Sequence, residues 1–141
     1  MEFESCLAMP RPRSVTLLAL WMLGLGAFHL IGAVSGIQRY TYLSGARLSL
    51  PPVYLILSSV VWGVVFLALA VGLWWLKNWG RVGTLVAFPL YLAQGWLDRL
   101  AFSRSDYAEV TIPWAVLWSL VSLALVCGVL FRGKVQESFT A

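Results

Sequence analysis

Charge is scarce in this sequence: only 11% of its 141 residues are Asp, Glu, Lys or Arg, against about 25% in an ordinary soluble domain. Histidine occurs once, at position 29, and cysteine twice, at positions 6 and 127. Each shortage excludes a class of chemistry. Structural zinc takes about four nitrogen or sulfur ligands, usually in close-spaced pairs, and His29, Cys6 and Cys127 cannot supply them. There is no CxxC, hence no thiol oxidoreductase signature, and no GxxxxGK[ST] loop to cradle a phosphate. Haem in a membrane bundle usually takes two axial histidines, and one is present; no cofactor is expected. A serine nucleophile needs a base, for which His29 is the single imidazole. Paired carboxylates would have to come from Asp98, Asp106 and Glu109, eight and three residues apart, with no second cluster. The expectation is a protein that is not an enzyme.

What the sequence has in excess is apolar surface. Hydrophobic residues make up 60% of the chain, and the mean hydropathy is +0.82. A soluble fold of this size has too little interior to hide so much, so the excess faces lipid. In that setting the net charge of +4 points to basic residues that flank membrane spans and meet anionic headgroups. The bilayer is the expected partner, and nucleic acid is not.

Four runs are long enough for the roughly 20 apolar residues a helical span needs: about 15–38, 53–76, 82–102 and 113–131. None alternates polar and apolar residues as a membrane β-strand would. The expected fold is therefore all-α, an integral membrane four-helix bundle over residues 15–131, with a cytoplasmic N-terminal segment 1–14 and a cytoplasmic tail 132–141. Pro51-Pro52 should open the second helix. Thr111 should cap the fourth, with Pro113 in its first turn, where a missing N–H does no harm. The linker Lys77–Arg81 is so short that spans two and three must form an antiparallel hairpin. Its apolar run, near 20 residues, makes the first span too long for the h-region of a cleaved signal peptide, about 7–15 residues. Met9 offers a second natural start ahead of it.

Counting Lys and Arg sets the orientation. With both termini inside, Arg11, Arg13, Lys77, Arg81, Arg132 and Lys134 lie inside and Arg39, Arg47, Arg99 and Arg104 outside, which favours N-in/C-in. Both cysteines then lie on or near the reducing side.

Small residues mark helix packing in lipid. Gly32 and Gly36 form a GxxxG pattern, with Gly24 and Gly26 earlier; it serves either a dimer seam or, the preferred reading, a contact inside the bundle. The third span is the least apolar, holding Pro89, Gln94, Asp98 and Arg99. Gln94 and Asp98 share a face, and His29 in the first span lies at a similar depth. His29, Gln94, Asp98 and Arg99 are thus the candidate polar site, around a cavity open to the outer side. The plainer reading makes Gln94 interhelical glue, Arg99 a headgroup ligand and Asp98 hydrated or paired with Arg104.

The stretch GLWWLKNWGR (Gly72–Arg81), followed by an apolar span ending in WLDRLAFSRSDY (Trp96–Tyr107), resembles uncharacterised small four-span inner-membrane proteins of bacteria. In these a Gly-Leu-Trp-x-Leu-x-x-Trp-[Gly/Ala]-Arg turn joins spans two and three. The resemblance covers residues 72–107; it implies a bacterial inner membrane and assigns no activity or site residues. The first span lacks the embedded Glu of small multidrug exporters, and the chain lacks the CxxC of vitamin K epoxide reductase-like proteins. In the turn itself, Trp79 should anchor at the interface, Gly80 should permit a tight backbone, and Arg81 should hold the loop inside. The leading expectation is an accessory or scaffolding subunit in a larger membrane complex. The alternative is a small transporter or ligand-binding bundle, a homo-oligomer, built on the polar site.

Overall fold

The computed structural model describes residues 12–40, 42, 51–102, 106–133, 135 and 139, and within them the side chains other than those of 101–110. Residues 1–11, most of the connection 39–52, Arg104, Lys134 and the side chains of Asp106 and Glu109 lie outside that description. Four α-helices account for nearly all of it: α1 (Arg13–Gln38), α2 (Pro52–Trp74), α3 (Asn78–Phe102) and α4 (Asp106–Leu130). Three helical stretches are long and apolar enough to cross a membrane, namely α1, α2 and residues 111–130 of α4. α3 is as long, but Arg81, Gln94, Asp98 and Arg99 make it the least apolar of the four.

The helices form an up-down-up-down ring: α1 packs on α2, α2 on α3, α3 on α4, and α4 back on α1, with α1 and α2 in by far the most intimate contact. Glycine makes that intimacy. A Cβ at Gly26 would stand 3.1 Å from the Gly63 carbonyl oxygen, and one at Gly63 only 2.7 Å from the Leu30 side chain. The crossing of α1 and α2 is therefore the Gly26–Gly63 pair. Gly36 packs toward Ile56 on α2, whereas Gly32 faces outward with nothing within 4 Å of its Cβ position. The GxxxG pattern thus divides, one glycine inside the bundle and one on its outer surface.

Pro51 and Pro52 open α2 as the sequence suggests, with Pro52 in the first turn. The end of α2 differs from expectation. The Lys77 amide reaches the Gly72 carbonyl at 2.9 Å and the Leu76 amide the Leu73 carbonyl at 3.2 Å, while Leu76 adopts φ 53°. This is the crossed pair of bonds around a left-handed residue that closes many helices, with leucine where glycine is usual. α3 then starts at Asn78, so Trp79, Gly80 and Arg81 belong to its first turn and not to a loop. Gly80 is needed for proximity: its Cβ would lie 2.5 Å from the Gly72 carbonyl carbon. The fourth helix also departs from expectation. It begins at Asp106, which puts Thr111 and Pro113 in its interior and removes the capping role given to Thr111. A proline inside an apolar helix is tolerated where neighbouring groups take up the freed carbonyl.

The core gathers toward the end of the bundle that holds the start of α1, the α2–α3 turn and the end of α4: Val15, Leu18, Ala19 and Met22 meet Phe66, Leu69 and Leu73, with Phe88, Val126 and Leu130. Val135 and Phe139, beyond α4, join it and are buried. Outward faces are apolar too: Phe28 is 71% exposed and Trp114 73%.

Gly80→Ala should destabilise the purified protein in detergent by about 1–3 kcal/mol, since the backbones must part to admit a methyl group. Gly24→Ala, which meets nothing within 4 Å, should leave the melting temperature equal or higher. An unchanged transition for Gly80→Ala would show that the hairpin does not close at these glycines.

Candidate functional site

On α2, Tyr54, Ser58 and Trp62 follow one another at intervals of four and share one face of the helix. On α3, Tyr91, Gln94 and Asp98, three and four residues apart, also share one face. The two faces meet in antiparallel register. Trp62 Nε1 donates to Gln94 Oε1 at 2.6 Å. Gln94 Nε2 donates to the Tyr54 hydroxyl and to Ser58 Oγ, each at 2.9 Å. Tyr54 in turn donates to Asp98 Oδ1 at 2.8 Å. Gln94 thereby spends its carbonyl and both amide hydrogens, and the chain of donors ends on a carboxylate that can only accept.

His29 stands one step aside. Its Nε2 lies 3.1 Å from the Tyr91 hydroxyl, and its ring meets Tyr91 edge-on at 5.4 Å between centroids. Tyr91 also packs edge-on against Trp62 at 5.2 Å and Phe66 at 5.0 Å. An aromatic cluster thus joins His29 on α1 to the α2–α3 network.

Arg99 is turned away. Next to Asp98 in sequence, it projects toward α4, where its guanidinium makes a long contact of 3.5 Å with the Thr111 carbonyl. The four residues singled out from the sequence therefore do not surround one cavity. Gln94 and Asp98 lock α3 to α2, His29 joins α1 to α3, and Arg99 reaches α4.

Arg99 does border a cavity, on the opposite side of α3. A cleft of about 290 Å³ opens between α1, α3 and α4, near the lower end of the range for small-molecule sites. Trp21 and Leu25 of α1 form one wall, Phe88, Tyr91, Leu92 and Trp96 of α3 another, and Ala115, Trp118, Ser119 and Ser122 of α4 the third. Gly95 leaves it open, since a Cβ there meets nothing within 4 Å. Trp96 Nε1 donates to Ser119 Oγ at 3.2 Å, which leaves the serine proton free to be given elsewhere. Ser122, only 2% exposed, has a buried hydroxyl with no hydrogen-bond partner.

Sequence reasoning missed Tyr54, Ser58, Ser119 and Ser122. The signal was there: hydroxyl residues three or four apart within otherwise apolar helices. Among the described residues no group of three or more His, Cys, Asp or Glu is placed to hold a metal ion. No protein-family model, characterised protein or solved structure matches the chain.

Gln94→Leu should cost about 2 kcal/mol of stability in detergent, three interhelical bonds at about 0.6 kcal/mol each. Asp98→Asn, which keeps an acceptor for Tyr54, should cost less. Equal melting temperatures for wild type and Gln94→Leu would deny the network its role in joining α2 to α3.

Proposed function

We propose that this is a non-enzymatic, multi-pass integral membrane protein that crosses the bilayer four times and binds a small apolar molecule in the cleft between α1, α3 and α4. The observation that carries the binding role is the cleft itself, walled by aromatic side chains of three helices. α3 serves as the fourth span because its polar side chains Gln94 and Asp98 are satisfied by α2. The setting is a cell membrane, and the resemblance over residues 72–107 favours a bacterial inner membrane.

The N-in/C-in orientation is supported by the ring topology. The start of α1, the α2–α3 turn and the end of α4 lie at one end of the bundle, which groups Arg13, Lys77, Arg81 and Arg132 there. Arg39 and Arg99 lie at the other. A fluorescent reporter that matures only in the cytoplasm should therefore light up when fused to the C-terminus. An alkaline phosphatase active at that same position would reverse the topology.

A second reading, an accessory or scaffolding subunit, is favoured by the outward face of α1, where Gly24 and Gly32 leave room for a close neighbour. One extraction addresses both. Purified from native membrane in mild detergent, the wild type should carry an apolar small molecule, detected by mass spectrometry of the organic extract. Gly95→Leu, whose side chain grows into the cleft, should lose it by tenfold or more, tenfold being about 1.4 kcal/mol of binding. Equal small-molecule content in both proteins would remove the binding role. Stoichiometric co-purification of a larger membrane protein in its place would favour the second reading.

A further inference from the structure

We propose that the occupant of this cleft is a single-chain anionic amphiphile, a long-chain carboxylate whose headgroup pairs with the guanidinium of Arg99 while its chain lies along the aromatic walls. The inference rests on the binding role above and gives that role its chemistry. Arg99 is the primary observation. It is the one charged residue among those that line the cleft. It is half-buried, and its contact with the Thr111 carbonyl, at 3.5 Å, stands at the long limit of a hydrogen bond. A guanidinium carries five N–H donors in a planar fork, and that fork matches the two oxygens of a carboxylate. Among the described side chains Asp98 is the single acid, and it does not serve Arg99: its carboxylate is held by Tyr54, on the α2 side of α3.

The cleft has the shape of such a molecule. Its α3 wall runs from Phe88 to Arg99, about 16 Å along the helix at 1.5 Å per residue. The cation stands at one end of this wall, and the lining away from it is dominated by Trp21, Leu25, Phe88, Leu92 and Trp118. A volume of about 290 Å³ along so long a wall makes the cleft narrow, which suits one chain better than the paired chains of a phospholipid. A neutral hydrocarbon would cover the walls and leave Arg99 without a counterion. A small anion would neutralise Arg99 and leave the walls bare. An amphiphile satisfies both. Arg99 also lies three residues before the end of α3 at Phe102, where an arginine's long stem places its charge near the headgroup layer. A carboxylate headgroup belongs at that depth, with its chain pointing inward.

The test uses the full-length protein in a neutral detergent and two probes of one chain length, dodecanoate and dodecan-1-ol. Binding is read by equilibrium dialysis against protein-free micelles, at a pH where the acid is ionised. Wild type should prefer the carboxylate by about tenfold, the order expected of one charge-assisted pair. Arg99→Gln should abolish the preference while leaving the alcohol affinity unchanged, and Arg99→Lys, which keeps the charge without the fork, should retain part of it. A wild type that binds both probes equally overturns the proposal, whether or not the variants fold. So does displacement of dodecanoate by an equal or lower concentration of phosphatidylglycerol, which would make the occupant a two-chain lipid. Gly95→Leu separates the two levels of the argument. If it abolishes alcohol binding while wild type shows no preference, the cleft binds apolar molecules and the carboxylate inference alone falls. If it abolishes alcohol binding but leaves dodecanoate bound, Arg99 holds anions outside the cleft, and again the carboxylate inference alone falls. If it leaves both probes bound as in wild type, the cleft is not the site and both readings fall.

Discussion

A polar side chain set among apolar helices must find its hydrogen-bond partners within the protein, and this constraint fixes how α2 and α3 lie against each other. Gln94 meets it completely, accepting from Trp62 and donating to Tyr54 and Ser58. Because those three partners recur every fourth residue, the amide can be satisfied in one register only; a slide by one turn would leave it with unpaired hydrogens. That register in turn aims the remaining faces of α3. Tyr91 is carried to His29 and Phe66, and Arg99 is rotated to the α4 side, where the cleft lies. The network that looks most like a site is thus the frame, and the cleft lies on the face of α3 that the frame leaves free.

The same contrast holds for backbone packing. α1 and α2 approach closely through Gly26 and Gly63, and α2 and α3 through Gly72 and Gly80. α4 has no such pair: Gly128 meets nothing within 4 Å, and the helix is held more by side chains at its edges than by backbone proximity. Three helices form a tight frame and the fourth leans on it. A cleft lies between α4 and its neighbours, with Trp96 and Trp118 on its walls. Few buried contacts also mean a low local cost of opening, so α4 is the least firmly held of the four helices.

Much of this architecture is legible in the sequence, because hydropathy over 20-residue windows responds to a single strong variable. The helix count, the proline start of α2 and the short α2–α3 turn all follow from it. The details that fail are those that depend on neighbours. Leu76 takes the left-handed position that sequence would give to glycine, since its side chain packs against the core while its backbone closes the helix. Pro113 reads as a first-turn residue, yet the helix begins a turn and a half earlier. His29, Gln94, Asp98 and Arg99 share a depth, and depth alone groups them; the 100° of rotation between Asp98 and Arg99 sends them to different helices. Ser119 and Ser122 lie three apart in an otherwise apolar helix, but spacing cannot show that one is bonded by Trp96 and the other is left without a partner.

Two buried polar atoms without partners stand out among the described residues, Arg81 Nε and Ser122 Oγ, and their positions give them different meanings. Arg81 lies in the first turn of α3, at the end of the bundle where Lys77 and the α2–α3 turn also lie. Its guanidinium has four further N–H donors and a long stem that carries them toward water and headgroups, so one idle Nε costs it little. Ser122 has a single O–H, placed eight residues before the end of α4, with no reach to either surface. Its only nearby acceptors are the carbonyls of its own helix, so it bears the cost of burial that Arg81 avoids.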